Sequence, residues 1–184
     1  MKRFARLFFA AGLALALGAC SVMPPQEFPR AERVDLERYM GTWYVIAHIP
    51  ARAERNAYNA IERYEQVEPG VIATVFTFRE GAFDGEAERM EPTGYVLEGT
   101  GNAVWAMQFF WPLRFEFTIS HVSPDYDTTI IARSARDLVW IMARTPMIPE
   151  STYDDLVARV ASLGYDVSKL RRVPQQPLDQ RDDG

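Results

Sequence analysis

The chain of 184 residues contains a single cysteine and only two histidines. One thiol forms no intrachain disulfide, and too few soft ligands remain for a cysteine-based or histidine-based metal site. His48 and His121 stand far apart, with no carboxylates at ligand spacing, so neither a metal nor a cofactor is expected. Basic residues are outnumbered, 20 against 25 acidic, which is the opposite of a nucleic-acid-binding surface. An apolar run of about 20 residues, the length that spans a bilayer, is also missing. The longest, Leu7 to Leu17, falls short of it. With no covalent or metal staple, the fold must be held by its core alone, and the length suits one domain.

What is present begins with an export pattern. Lys2, Arg3 and Arg6 precede the apolar run, and Gly18 and Ala19 follow it, so residues 1–19 read as a signal peptide rather than as part of the fold. Leu17-Gly18-Ala19-Cys20 resembles the lipobox of bacterial lipoproteins. That resemblance implies that Cys20 becomes the first mature residue and is lipidated on its sulfur and amino group. The lone thiol is thereby accounted for. Ser21, in place of an inner-membrane retention aspartate, implies the outer membrane, at its periplasmic face. The alternative is an ordinary secretory signal with an incidental cysteine. Losing residues 1–19 removes three of the 20 basic residues and no acid, leaving 17 against 25 and a net charge of −8. Residues 20–33, with Pro24, Pro25 and Pro29, read as a lipidated tether of about 40 Å reach when extended.

From Thr42 to Arg144 short β-rich runs alternate with turn residues, a spacing that predicts an all-β barrel or sandwich. Eight strands are expected, at about 42–49, 57–66, 70–79, 87–98, 102–110, 113–122, 127–133 and 137–144. Their short connections favour antiparallel next-neighbour pairing, which an up-and-down barrel closes without free edges. The sixth run, RFEFTISHV, alternates cleanly, with Phe115, Phe117, Ile119 and His121 on its apolar face. The first and eighth runs are apolar on both faces, so their outer side needs a cover. A helix at about 149–163 supplies it, with Tyr153, Leu156, Val157, Val160 and Leu163 on one stripe, Ser151 as N-cap and Gly164 as stop. DVSKLRRV can add a short outer strand, and the tail 174–184 reads as frayed.

RYMGTWYVIA, with Gly41 and Trp43, resembles the first lipocalin motif. PDY, with Asp125 and Tyr126, stands where the second lies, and VWIMARTP resembles the third, ending in Arg144. The chain is therefore identified as a member of the lipocalin family over 34–173, nearest to the bacterial outer-membrane lipoprotein lipocalins. The resemblance implies an eight-stranded antiparallel up-and-down lipocalin barrel with one C-terminal α-helix packed outside. It also implies that Arg144 lies across the Trp43 indole and binds carbonyls of the N-terminal segment. Two departures are Val45, where many relatives carry an acid, and Ser123-Pro124-Asp125 in the second motif.

A barrel of this size holds one small ligand. Alternation together with the resemblance points inward Val45, Ala47, Ala60, Tyr64, Ala73, Val75, Trp105, Met107, Phe109, Phe117, Ile119, Leu138, Trp140 and Met142. Soft methionines and flat aromatics of this kind suit an acyl chain, unless they simply fill the barrel as core. The FWPLR loop puts Phe110, Trp111, Leu113 and Arg114 at the mouth, facing either a membrane or neighbouring loops. Arg52, Arg55, Arg133 and Arg136 are expected around the same rim, with Glu54 and Asp137 in opposition, as a headgroup reader or as solvated charge. The expected function is storage or transport of a fatty acid such as palmitate, or of a lysophospholipid, for membrane maintenance under stress. The partners are that ligand and the membrane through Cys20, with no nucleic acid and a homodimer left open. Two other classes compete. One is a lipid- or isoprenoid-modifying enzyme, for which only His121, placed inward near Asp125 and Tyr126, offers a group. The other is a structural envelope lipoprotein with a filled barrel.

Overall fold

The computed structural model describes residues 28–181. The signal peptide and Cys20 lie outside the described residues. A single helical turn, α1 (Leu36–Tyr39), leads into β1 (Gly41–Ile49), β2 (Ala57–Glu68), β3 (Val71–Glu80), β4 (Ala87–Met90), β5 (Thr93–Val96), β6 (Val104–Phe110), β7 (Leu113–Val122), β8 (Thr128–Ala132) and β9 (Val139–Ala143). Then follow α2 (Glu150–Ser162) and β10 (Arg171–Arg172). Every pairing is antiparallel between neighbours, and β1 pairs with both β2 and β9, which closes the barrel.

The fourth strand of the sequence reading is split in two. Pro92 has no N–H to give the ladder, so β4 pairs with the mouth half of β3 and β5 with the other half. The carbonyl of Pro92 still accepts from the Thr74 amide at 3.1 Å, so the barrel wall stays continuous. β4 and β5 together occupy one position in an eight-stranded barrel.

Two β-bulges set which side chains face inward. Along β1, Val45 pairs with Met142 but Ala47 pairs with Ile141, a shift that flips every later residue to the other face. Along β7, Ile119 pairs with Ile131 but His121 pairs with Ile130. The first bulge places Ala47 in the outer cluster under α2 and turns His48 into the barrel opposite Trp140. The second turns His121 outward, where partial burial and Arg159 lower its pKa. Both assignments correct the simple alternation, which put Ala47 and His121 inside.

The outer cluster seals β1, β8 and β9 beneath α2. Leu156, Val160 and Leu163 pack onto Ile46, Ile130, Val139 and Ile141, each buried aliphatic side chain contributing about 1.5–3 kcal/mol. Pro149, not Ser151, occupies the N-cap of α2, and no side chain caps it. At the other end Gly164 takes φ of +87°, and Arg136 donates from Nε to the Leu163 carbonyl at 2.7 Å.

The chain is already on the barrel at its first described residues. Phe28 packs against the outer cluster and Ala31 donates to the Ile119 carbonyl, so the tether expected over 20–33 is not free from Phe28 onward. Residues 174–181 of the tail are also held, where the sequence reading expected fraying. Gln175 reaches the Val45 and Ala60 carbonyls from Nε2, at 2.7 and 3.0 Å, where β1 and β2 part. Asn59 clasps Gln176 from the barrel wall.

Candidate functional site

One end of the barrel is shut by rings. Tyr39, Trp43, Tyr64 and Trp105 stack and cross at centroid distances of 5.0–5.8 Å. The Trp43 indole donates to the Tyr39 carbonyl at 2.9 Å. Arg144 covers the outer face of that indole at 3.7 Å. Its guanidinium donates to the carbonyls of Thr42 at 2.8 Å, Arg38 at 2.7 Å, Tyr39 at 3.1 Å and Tyr126 at 3.3 Å. Gly41 adopts φ of +93°, and a Cβ there would touch the same guanidinium, so the entry into β1 calls for glycine. Tyr126, at φ +65°, accepts the Asp35 amide on its hydroxyl at 2.8 Å, while Asp125 is exposed and held low in pKa by the Ser123 hydroxyl and neighbouring amides.

Above this floor lies a cavity of about 520 Å³. Tyr64, Met107, Phe109, Phe117, Leu138, Trp140 and Met142 line it. Val45, Ala60, Trp105 and Ile119 are buried in the same interior cluster without reaching the cavity wall. Ala73 and Val75 do not face inward. On β3 the buried set is Ile72, Thr74, Phe76 and Phe78, and the smaller residues between them take the outer face. Both faces of that strand read as apolar, so alternation alone did not choose, and the bulkier set fills the interior.

Sequence reasoning missed Phe76, Met90 and Ile131 on the cavity wall and the acid Glu62; Phe115, read on the apolar face of its strand, and Glu54, expected only on the rim, also line the cavity. Glu62 was legible, since it alternates between the inward Ala60 and Tyr64. Glu54 carried no periodic signal, because it lies on a 3₁₀ turn at Arg52–Glu54 that dips into the mouth. Its Oε1 accepts the Ala51 amide at 3.0 Å and its Oε2 the Trp140 indole at 3.2 Å. His48 Nδ1 lies 3.7 Å from Oε2, and the whole ring is buried without a hydrogen bond. Glu62 differs from Glu54. Burial, reinforced by the Glu54 charge, pushes its pKa well above the usual carboxylate range.

The mouth is lopsided. Trp111 is 86% exposed, Phe110 59% and Leu113 50%, all on the hairpin joining β6 to β7, and Phe110 also reaches the cavity. Arg114 stacks on the outer face of Tyr95 at 3.8 Å, and Arg136 is spent on the end of α2, so neither belongs to the expected arginine rim. Arg133 does line the cavity, paired with Asp137 at 2.8 Å, and Arg52 and Arg55 are exposed on the turn above it. Among the described residues no group of three or more metal-ligating side chains comes together.

A closed antiparallel barrel, plugged at one end by a tryptophan under an arginine and hollow at the other, defines a calyx. Residues 34–175 match the family model of the lipocalin-like domain, and the chain belongs to that family. It is 28% identical over 162 residues to temperature-induced lipocalin-1 of Arabidopsis thaliana, covering 82% of this chain and 84% of that one. It is 29% identical to outer membrane lipoprotein Blc of Escherichia coli K12, covering 95% of this chain and 98% of that one. Among solved structures, insecticyanin from Manduca sexta superposes with a TM-score of 0.64 at 17% identity, over 86% of this chain and 89% of that one.

Proposed function

We propose that this protein carries a single-chain lipid, a fatty acid or a lysophospholipid, at the periplasmic face of the outer membrane, where Cys20 anchors it. The observation that carries this reading is the cavity. Its volume of about 520 Å³ falls within the range of small-molecule sites, and its wall is mostly methionine and aromatic carbon. Each methylene taken in favours binding by about 0.8 kcal/mol before ordering costs. The acyl tail enters first, because among the described residues the only arginine or lysine on the cavity wall, Arg133, stands at the mouth. The head stays at the mouth near Arg133, whose guanidinium suits carboxylate or phosphate. The exposed Phe110, Trp111 and Leu113 form the edge that meets the bilayer surface, where tryptophan is favoured.

The test is incubation of the delipidated full-length protein with isotope-labelled lysophosphatidylethanolamine and palmitate, followed by gel filtration and mass spectrometry. Unchanged ligand co-eluting at one per chain is expected. Turnover would replace the carrier with an enzyme, and no displaceable ligand would leave only an anchored structural lipoprotein.

A further inference from the structure

Of the two acids on the cavity wall below the rim, Glu54 and Glu62, only Glu62 lacks a hydrogen bond from the protein among the described residues. On β2 it sits opposite Trp43 of β1 and Phe76 of β3, in the half of the cavity that leads to the aromatic floor. It lines the cavity, yet no protein group among the described residues hydrogen-bonds its carboxyl. The residue is half-buried, its carboxyl open to the cavity, and a polar group facing a largely apolar space gains about 1–3 kcal/mol when a ligand supplies the missing partner. Glu54, by contrast, is tied down by the Ala51 amide and the Trp140 indole. Glu62 instead presents its carboxyl to whatever occupies the cavity.

We infer that Glu62 is a second polar subsite, at the inner end of the cavity, and that it selects a lipophile bearing a neutral oxygen, a hydroxyl or a ketone or ester carbonyl, on the end inserted first. This rests on the carrier reading and sharpens it. Desolvation and the Glu54 charge raise its pKa and favour the protonated form, which offers one O–H donor and a carbonyl acceptor to a ligand in the cavity. A ketone can take the donor, and a hydroxyl can use both. An ionised ligand head has no counter-charge there and is held at the mouth. A plain hydrocarbon end leaves the carboxyl unpaired, which penalises it relative to an oxygenated one.

The test pairs n-alkanoic acids of ten to sixteen carbons with their ω-hydroxy counterparts, read by quenching of tryptophan fluorescence and by calorimetry, on wild type, Glu62→Gln and Glu62→Leu. In wild type the ω-hydroxy acid is expected to win at the chain length that reaches Glu62, by roughly tenfold. Glu62→Gln, whose amide still donates and accepts, keeps that preference. Glu62→Leu reverses it, because the hydroxyl then enters an apolar end unpaired. If both ligands bind but their ratio is the same in wild type and Glu62→Leu, the subsite is refuted while the carrier reading stands. If neither ligand binds wild type, the carrier reading falls and this inference with it. If dodecylamine binds wild type far better than dodecanol and loses that advantage in Glu62→Gln, the carboxyl is ionised and the neutral-oxygen selection is overturned.

Discussion

Arg144 offers a quantitative check on the closed end. Replacing it by methionine keeps the aliphatic stem but removes the cation over Trp43 at 3.7 Å and the donors to four carbonyls. The ring contact, partly shielded from water, contributes about 1–2 kcal/mol. Hydrogen bonds from a charged donor are stronger than neutral ones, but the four share one group that is only half-buried, so they do not add in full. A working loss of roughly 3 kcal/mol follows, which in a domain of this size lowers Tm by about 6–12 °C. Arg144→Lys keeps the charge but not the planar fork that spans α1 and β1, and about half the loss is expected. Urea and thermal unfolding, followed by tryptophan fluorescence, measure both variants. Ligand affinity well below Tm should not change, because Arg144 lies on the outer side of the aromatic floor. A lysine variant as stable as wild type to within about 0.5 kcal/mol would refute the argument that the fork holds the closed end.

Two further outcomes are expected. Since the native state keeps the Glu62 proton after the unfolded chain has lost it, the stability due to this residue falls as pH rises from the ordinary glutamate range toward the raised value. Its slope is at most about 1.4 kcal/mol per pH unit. Glu62→Gln removes that slope, so urea midpoints of variant and wild type should coincide in acid and diverge toward neutrality with the variant more stable; a gap independent of pH would contradict the raised pKa. Trp111→Ser removes a side chain that is 86% exposed, so unfolding should shift by less than about 0.5 kcal/mol. Uptake of lysolipid from vesicles should nevertheless slow severalfold at unchanged equilibrium affinity, and an unaltered uptake rate would mean that the hairpin does not meet the membrane.

Elements with a strong period of their own were readable from the residues alone. The helix α2 follows from its apolar stripe and Gly164, and the order of strands from turn residues and spacing. The inward faces were legible only where one face is polar. RFEFTISHV reads correctly as far as Ile119 and then fails at His121, because a bulge inserts one residue and bulges leave no mark in hydrophobic periodicity. On β3 both faces are apolar, so the volumes of Ile72, Phe76 and Phe78 decide the matter, which requires knowing that the barrel is hollow enough to take them.

These same irregularities build the polar part of the site. Without the bulge between Val45 and Ala47, His48 would face the cover helix and Ala47 would face the interior. With it, a histidine and a glutamate meet at the mouth, 3.7 Å apart, while small Ala47 lets α2 sit close on the outside. The turn at Arg52–Glu54 then brings its carboxylate under the Trp140 indole and fixes that ring as part of the cavity wall. A regular barrel of the same composition would keep Arg133 at its mouth but lose the buried Glu54 carboxyl and the histidine beside it. Discrimination between lipids of equal chain length therefore has to come from the few positions where strand and turn depart from the repeat, and from Glu62, the one acid on the inward period of β2.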